Sequence, residues 1–509
     1  MDFVAIQDAF SQVFLDWRIL ATIVAAAFYG IFMGAVPGLT ATMAVALLIP
    51  LTYTQPTLFA FAAVVTLVAC AIFSGDIPTT LVRMPGTPSS AAYAEDAHAL
   101  AMQGRARQTL GVALAFSVIG GIFGALVLMF LARPLARIAV GFTYYEYFWL
   151  YVLGLSCAAI VSRGSALKGA LALGLGLGIS TIGLGTVYST ARFAGDSAAL
   201  KGGIEFIPAM VGLFGVSEIL RGVLRPRSAL DAATLPPPVK ELSDHGTFAE
   251  VKQRLLRRPW HTLRSTSIGS LIGMLPGAGA DIAAWVSLAA SRRFSKRRDS
   301  YGRGSLDGIA DATAANNSAI AGAWIPALVF GIPGDSVTAL VISVLYMKKI
   351  VPGPDIFENP EQRTLVYSIY LLFIAANLVL IPLGLLAIRA GTTLVRLPQR
   401  ILLPCVLLFT IVGSFAFRAT YFDVGVMLVM GLLGFVLDRH KVPLGPVVLG
   451  LVLGGPLEEK LIQGLIASNG SILAFFSRPV AGVLGVTTIA LWLSPTIFRT
   501  RRRSREPRP

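Results

Sequence analysis

The strongest constraint on this chain is a succession of apolar stretches, each long enough to enter or cross a bilayer. They run at approximately 19–50, 57–75, 108–132, 146–162, 165–190 and 204–221. A second set lies at approximately 266–290, 318–346, 364–389, 401–418, 420–437, 443–455 and 479–497. One crossing takes about 20 apolar residues as a helix, and lipid offers no partner for backbone polar groups, which helices satisfy internally. Charge agrees: only 14% of the 509 residues are charged and mean hydropathy is +0.73, against about 25% charge in a soluble domain. The expectation is an all-α polytopic membrane protein.

The net charge of +15 does not point to nucleic acid, because Lys and Arg fall in short runs between apolar segments. Such runs mark cytoplasmic loops under the positive-inside rule, and the tail "RTRRRSREPRP" places the C-terminus there. Cys70, Cys157 and Cys405 sit in apolar runs without pairing or metal spacing, as small core residues do. "MDFVAIQDAF" shows neither a basic start nor a small-residue cleavage pattern, so the spans themselves are expected to direct insertion.

The two sets of apolar stretches look like copies. "GIFMGAVPGLTATMAV" (30–45) aligns on "GSLIGMLPGAGADIAA" (269–284), and "IPTTLVRMPGTPSSA" (77–91) aligns without a gap on "IPALVFGIPGDSVTA" (325–339). Between the copies lies a polar, proline-rich, basic stretch that cannot span. The expected division is a first membrane repeat at 1–224, a cytoplasmic linker at 225–264, and a second repeat with a terminal helix and basic tail at 265–509. Within the linker, "TFAEVKQRLLRRPW" has the spacing of a short interfacial helix, with Arg and Lys toward headgroups.

Charge also bears on orientation. The 266–290 segment is flanked by basic residues on both sides, the second flank being "SRRFSKRR" (291–298), yet about 25 residues cannot cross twice. A re-entrant hairpin with "PGAG" at its tip meets both facts. Its counterpart at 19–50 has an uncharged and a mildly acidic flank, so it would enter from the other side. The expectation is two inverted repeats with facing re-entrant hairpins and discontinuous helices; ordinary kinked helices are the competing reading.

Catalytic signatures are missing: there is no HExxH, GxxxxGK[ST] or GxSxG, and the four histidines have no credible partners. An enzyme is not expected. "GLGLG" (174–178), Gly120 and Gly124 read as small residues for close helix packing. The four Pro-Gly breaks differ, because each is followed by hydroxylic or acidic residues. They comprise Pro37, Gly38 and Leu39 with Thr40 and Thr42; Pro85 and Gly86 with Thr87, Ser89 and Ser90; Pro276, Gly277 and Gly279 with Asp281; and Pro333 and Gly334 with Asp335, Ser336 and Thr338. A broken helix exposes amides at its new N-terminus, where the dipole favours an anion, so these residues are candidates for binding a carboxylate. The bland alternative is a packing kink.

Asp281 and Asp335 are carboxylates near membrane depth, where an ion ligand or proton carrier is the default; helix capping is the alternative for both. Asn316 and Asn317 in "ATAANNSA" offer carbonyl oxygens, and Asp281 with Asn316 and Asn317 forms a candidate Na⁺ site. Arg83 can recognise a carboxylate in bidentate fashion, pair with Asp76, or snorkel to an interface. No cofactor beyond a coupling Na⁺ or H⁺ is expected.

"GAVPGLTATMAVALLIPLTY", "MPGTPSSAA", "GMLPGAGADIAAW", "AANNSAIAGAWIPALVFGIPG" and "VPGPDIF" resemble, in order over roughly residues 20–460, the large permease subunit, TctA, of tripartite tricarboxylate transporters. The resemblance implies a multi-pass bacterial inner-membrane importer of di- and tricarboxylates driven by an ion gradient. It also implies a small TctB-like membrane subunit and a periplasmic TctC-like solute-binding protein as partners. By position, the family's motifs fall on Pro37 to Thr40, Pro85 to Thr87, Pro276 to Gly279, Asn316-Asn317 and Pro333-Gly334. Arg83 and Asp335 depart from the small or amide residues expected there, which bears on substrate identity. The competing class is a carboxylate channel or exporter without a binding protein.

Overall fold

A computed structural model of the chain describes residues 3–36, 39–161, 165–185, 187–188, 190–224, 244–277, 279–395 and 399–503. Among these residues the fold is helical apart from one antiparallel pair of two-residue strands, Gly183–Leu184 with Ala191–Arg192. Six of its helices are long and apolar enough to cross a membrane, and the protein is an all-α polytopic membrane protein. The chain divides into two compact units, residues 1–136 with 205–439, and 137–204 with 440–509. This division follows spatial contact and so cuts the chain elsewhere than the linker does.

The candidate site lies in the first unit. Its leading helices are α1 (Trp17–Ala35), α2 (Ala41–Thr52), α3 (Thr57–Ser74), α4 (Asp76–Val82), α5 (Ala94–Met102) and α6 (Ala106–Ala139). After the linker come α7 (Asp244–Arg257), α8 (Pro259–Gly273), α9 (Gly279–Phe294), α10 (Leu306–Phe330), α11 (Ser336–Met347) and α12 (Pro360–Val395). Both expected tips are breaks in the helix, between α1 and α2 and between α8 and α9. The run expected at 318–346 begins earlier, at Leu306, and is interrupted between α10 and α11. The run at 165–190 stops as a helix at Ser180 and turns into the strand pair.

Glycine decides how these helices pack. In α1, a side chain at Gly30 or Gly34 would strike the backbone oxygen of Leu67 or Ala71 in α3. In α8, Gly269 and Gly273 meet the backbone of Ala315 and Ala319 in α10 in the same way. Gly120 and Gly124 of α6 lie on Ala314 and Ser318 of α10, which bears out their reading as packing residues. Where lipid removes the hydrophobic driving force between helices, close backbone approach through small residues supplies much of the attraction. The apolar core beside these contacts gathers Phe73, Leu110, Leu114, Val118 and Leu380.

Residues 225–243 of the expected linker lie outside the described residues. The expected short helix forms as α7. Arg254 within it and Arg258 just after it pair with Asp307 at the start of α10, Arg258 at 2.8 Å, while Val251 and Leu255 pack on the protein core and Leu256 is exposed.

The second unit contains helices Tyr144–Val161, Ala166–Ser180, Leu444–Ala467 and Pro479–Arg503. Gly176, the middle of "GLGLG", lies against the backbone of Val447, whereas Gly174 and Gly178 face open space. The Glu146 carboxylate is buried and pairs with Arg478 at 3.1 Å, and Arg192 grips Glu458 with two bonds of 2.8 and 2.9 Å.

Candidate functional site

The second tip and the second break meet at one carboxylate. Gly277 and Gly279 turn the chain with φ of 77° and 59°, in the left-handed region open to glycine. A side chain at Gly279 would lie 2.7 Å from Cβ of Asp335. Asp335 caps α11: its Oδ1 accepts the Thr338 amide at 2.8 Å, and its own amide donates to Thr338 Oγ1 at 2.8 Å. The Val337 amide and, from the start of α9, the Ala280 amide face the same carboxylate. One side chain thus answers the orphan donors of two helix N-termini. Gly334 fits against Ala323 and the Gly273 carbonyl, where no side chain has room. Pro333 and Thr338 are buried and Ser336 is half-buried.

The first break carries the same device with smaller groups. The Ser90 amide donates to Thr87 Oγ1 at 3.1 Å and the Thr87 amide to Ser90 Oγ at 3.2 Å. Thr87 and Ser89 hydroxyls share a bond of 2.9 Å. Thr79 donates to the Gly75 carbonyl at 2.7 Å and accepts the Gly86 amide at 3.3 Å, which pins Gly86 onto Gly75. The hydroxyls at this break are therefore already bonded to one another and to backbone. Pro85 is exposed.

Geometry recurs between the halves. Arg83 closes α4 with a left-handed φ of 55°, and Gly331, 248 positions later, closes α10 with φ of 67°. Their following amides reach back to Pro78 and Pro326 at 3.3 and 3.2 Å. The reciprocal pairs Thr87–Ser90 and Asp335–Thr338 stand at the same offset, as do the backbone sites Leu67–Ala71 and Ala315–Ala319 beneath the packing glycines.

Arg83 does not pair with Asp76. Its Nη2 donates to Glu95 Oε1 at 2.9 Å, with both side chains more than half exposed, and Asp76 is buried with the Tyr93 hydroxyl donating to it. At the first tip, Pro37 and Gly38 lie outside the described residues. Leu39 is buried, and Thr40 caps α2 by accepting the Met43 amide at 3.2 Å; Thr42, two residues on, is half-buried. At the second tip Pro276 and Asp281 are half-buried, Asp281 in the first turn of α9.

Asn316 and Asn317 sit mid-helix in α10, 1% and 2% exposed, and neither side-chain oxygen has a hydrogen-bond partner. Neighbouring residues on a helix point about 100° apart, so the two amides address different surroundings. Bonds also tie one half to the other. Trp285 in α9 donates to the Pro88 carbonyl at the first break at 3.3 Å, and Lys348, after α11, donates to the Tyr53 carbonyl at the end of α2 at 2.7 Å.

Sequence reasoning missed Thr79, Tyr93 and Asp96. The Asp96 carboxylate accepts the amides of Gly302, Gly304 and Ser305 at 2.7–2.9 Å, securing the loop before α10. Only glycine-rich "YGRGS" (301–305) hinted at a nest of amides there.

Helices broken within apolar stretches, with capped N-termini at the breaks, are an arrangement that membrane transporters use. The chain matches the tripartite tricarboxylate transporter TctA family over residues 20–449, and it belongs to that family. It is 33% identical over 476 residues, 93% of this chain and 92% of the relative, to an uncharacterized 52.8 kDa protein in the TAR-I ttuC′ 3′ region of Agrobacterium vitis. It is 35% identical over 237 residues, 46% of this chain and 97% of the relative, to an uncharacterized protein in the TAR-II ttuC′ 3′ region of the same organism. No solved structure matches.

Proposed function

We propose that this chain is the large permease subunit of a secondary transporter that imports di- or tricarboxylates, fed by a periplasmic solute-binding protein and accompanied by a small membrane subunit. A Na⁺ or H⁺ gradient drives the step, in a bacterial inner membrane with the basic tail in the cytoplasm. The observation that carries the reading is the pair of matched breaks, Thr87–Ser90 and Asp335–Thr338, tied across the halves through Trp285. The recurrence of caps, left-handed closures and glycine contacts supports two repeats, and the opposed flanking charges support their inversion.

The two breaks are unequal in charge. Asp335 brings its own carboxylate to the amides of the second break, which leaves that side poor at holding another anion. The hydroxyls that cap the first break are neutral, and the Arg83 guanidinium, paired with Glu95, lies two residues before Pro85; this break is assigned to the substrate carboxylate. Substrate entry would exchange hydroxyl–hydroxyl bonds for bonds to the anion, at little net cost in bond number.

Uptake of labelled citrate and other organic acids into vesicles carrying the whole assembly tests this. Ser89→Ala, which removes a hydroxyl bonded to the Thr87 side chain and leaves the reciprocal Thr87–Ser90 cap in place, is expected to raise KM for the acid about tenfold, the loss of one charge-assisted bond. Gradient-driven uptake that proceeds equally well without the binding protein would refute the delivery step.

A further inference from the structure

One buried carboxylate of the first unit caps no helix and holds no loop. Asp76 opens α4 inside the apolar run Thr57–Val82, is 2% exposed, and makes no cap bond. The Tyr93 hydroxyl, equally buried, donates to its Oδ1. Among the described residues no Lys, Arg or His forms an ion pair with it. Titratable groups on the neighbouring elements are committed elsewhere. On α5, Glu95 pairs with Arg83, Asp96 holds the loop before α10, and His98 Nδ1 meets the Thr80 carbonyl at 3.1 Å. On α1 the Tyr29 hydroxyl donates to the Ala44 carbonyl at 3.4 Å. Cys70 of α3 is fully buried, and Arg389 of α12 forms no ion pair with Asp76.

The backbone at this place does not call for a carboxylate. At the offset that relates Arg83 to Gly331, Asp76 corresponds to Trp324, and each is followed by Ile-Pro. Trp324 is buried and packs edge-on against Phe61, with ring centres 6.0 Å apart, and against Phe373, at 5.2 Å. One half therefore fills the position with an aromatic ring, the other with a carboxyl that has no counter-charge. The carboxyl also adjoins the first break. The Gly86 amide donates to the carbonyl of Gly75, its chain neighbour, at 3.3 Å. Thr79, three residues on in α4, stands 2.9 Å from Ser90 Oγ, and the Tyr93 amide donates to the Ser90 carbonyl at 3.3 Å.

A carboxylate enclosed without a cation holds its charge only at high cost, and it sheds that cost by taking a proton. The first turn of α4 offers some relief through the helix dipole, and the Tyr93 hydroxyl offers more, so both the charged and the neutral form have support. A metal ion would need oxygens on every side, whereas a proton needs one acceptor atom. Tyr93 presents its hydrogen to Asp76, which suits an acid–base group and turns a donor where a metal ion would want a lone pair.

We propose that Asp76, positioned by Tyr93, carries the coupling proton beside the first break. The carboxylate takes up one H⁺ from the outer side as the acid binds and gives it up on the inner side, so the carboxyl O–H bond is the only bond made and broken. Protonation removes the charge assistance from the Tyr93 bond. Tyr93 is tied through its amide to Ser90, so the hydroxyls of the break respond to the state of the carboxyl. The proposal rests on the transporter reading above and selects H⁺ over Na⁺.

The test uses vesicles carrying the whole assembly in weakly buffered, sodium-free medium. A pulse of fully ionised labelled acid is expected to turn the outside medium alkaline as the acid enters, and an imposed proton gradient to concentrate the acid inside. Asp76→Asn keeps the shape and removes the titrating group. It is expected to abolish both the alkaline shift and the concentration, while acid still enters until the two sides are equal. Entry into unaltered vesicles without an alkaline shift, or entry that requires Na⁺, overturns the proton site and leaves the transporter reading standing. An Asp76→Asn assembly that still concentrates the acid overturns it too, as does one that admits none, which marks Asp76 as structural. Unaltered vesicles that admit no organic acid under either a Na⁺ or a proton gradient sink the transporter reading and this proposal with it.

Discussion

At the scale of single residues, two carboxylates, Asp96 and Asp335, serve as acceptors for backbone amides. Asp96 holds three amides of one loop. Asp96→Ala would strand those donors and is expected to cost about 3 kcal/mol, seen as a lower unfolding temperature in detergent. Asp335→Ala removes a cap shared by α9 and α11 and is expected to cost about 2 kcal/mol. Asp335→Asn keeps an acceptor for the Thr338 amide and should lose less than half of that. These roles differ in how visible they are in the sequence. Asp335–Thr338 and Thr87–Ser90 are three residues apart, so their capping follows from local spacing. Asp96 meets partners more than two hundred positions away, and Arg83 meets Glu95 by the turn of α5; neither spacing carries a local signal.

At the scale of elements, glycine position separates tight helix seams from open ones. Gly34→Val drives a branched side chain into the Ala71 carbonyl and the Ser74 hydroxyl. It should cost about 3 kcal/mol or abolish accumulation in the membrane, as judged by yield of folded protein. Gly174 lies in a helix with nothing near its missing side chain, so Gly174→Ala should be neutral or stabilise by about 0.5–1 kcal/mol in the same assay. The sequence showed where helices break, because Pro-Gly in an apolar run has few other uses. It did not show which helices meet: that Gly121 lies against Asn377 depends on the phase and stagger of two helices, and one helix's residues do not encode it. The partner of Arg254 and Arg258 was equally hidden: an amphipathic face looks alike whether lipid or protein covers it, and Asp307 lies some fifty positions away.

At the scale of the whole molecule, the proposed inversion of the halves makes a topological prediction. Single cysteines at Gln55 and Lys296, both exposed, should react with a membrane-impermeant maleimide from opposite faces of intact cells and inverted vesicles. Labelling of both from one face would remove the inversion and leave two parallel copies. The proposed repeat rests on two aligned blocks of sequence, which did not reveal the bonds that close Trp285 onto Pro88 and Lys348 onto Tyr53.

That closure has a mechanical consequence. The Trp285 indole is moored to the first half's break, and the Lys348 ammonium is moored to the end of α2. A rocker whose halves tilt apart would part both moorings on every cycle. On the proposed transport reading, moorings of this kind favour a carriage whose moored parts travel together.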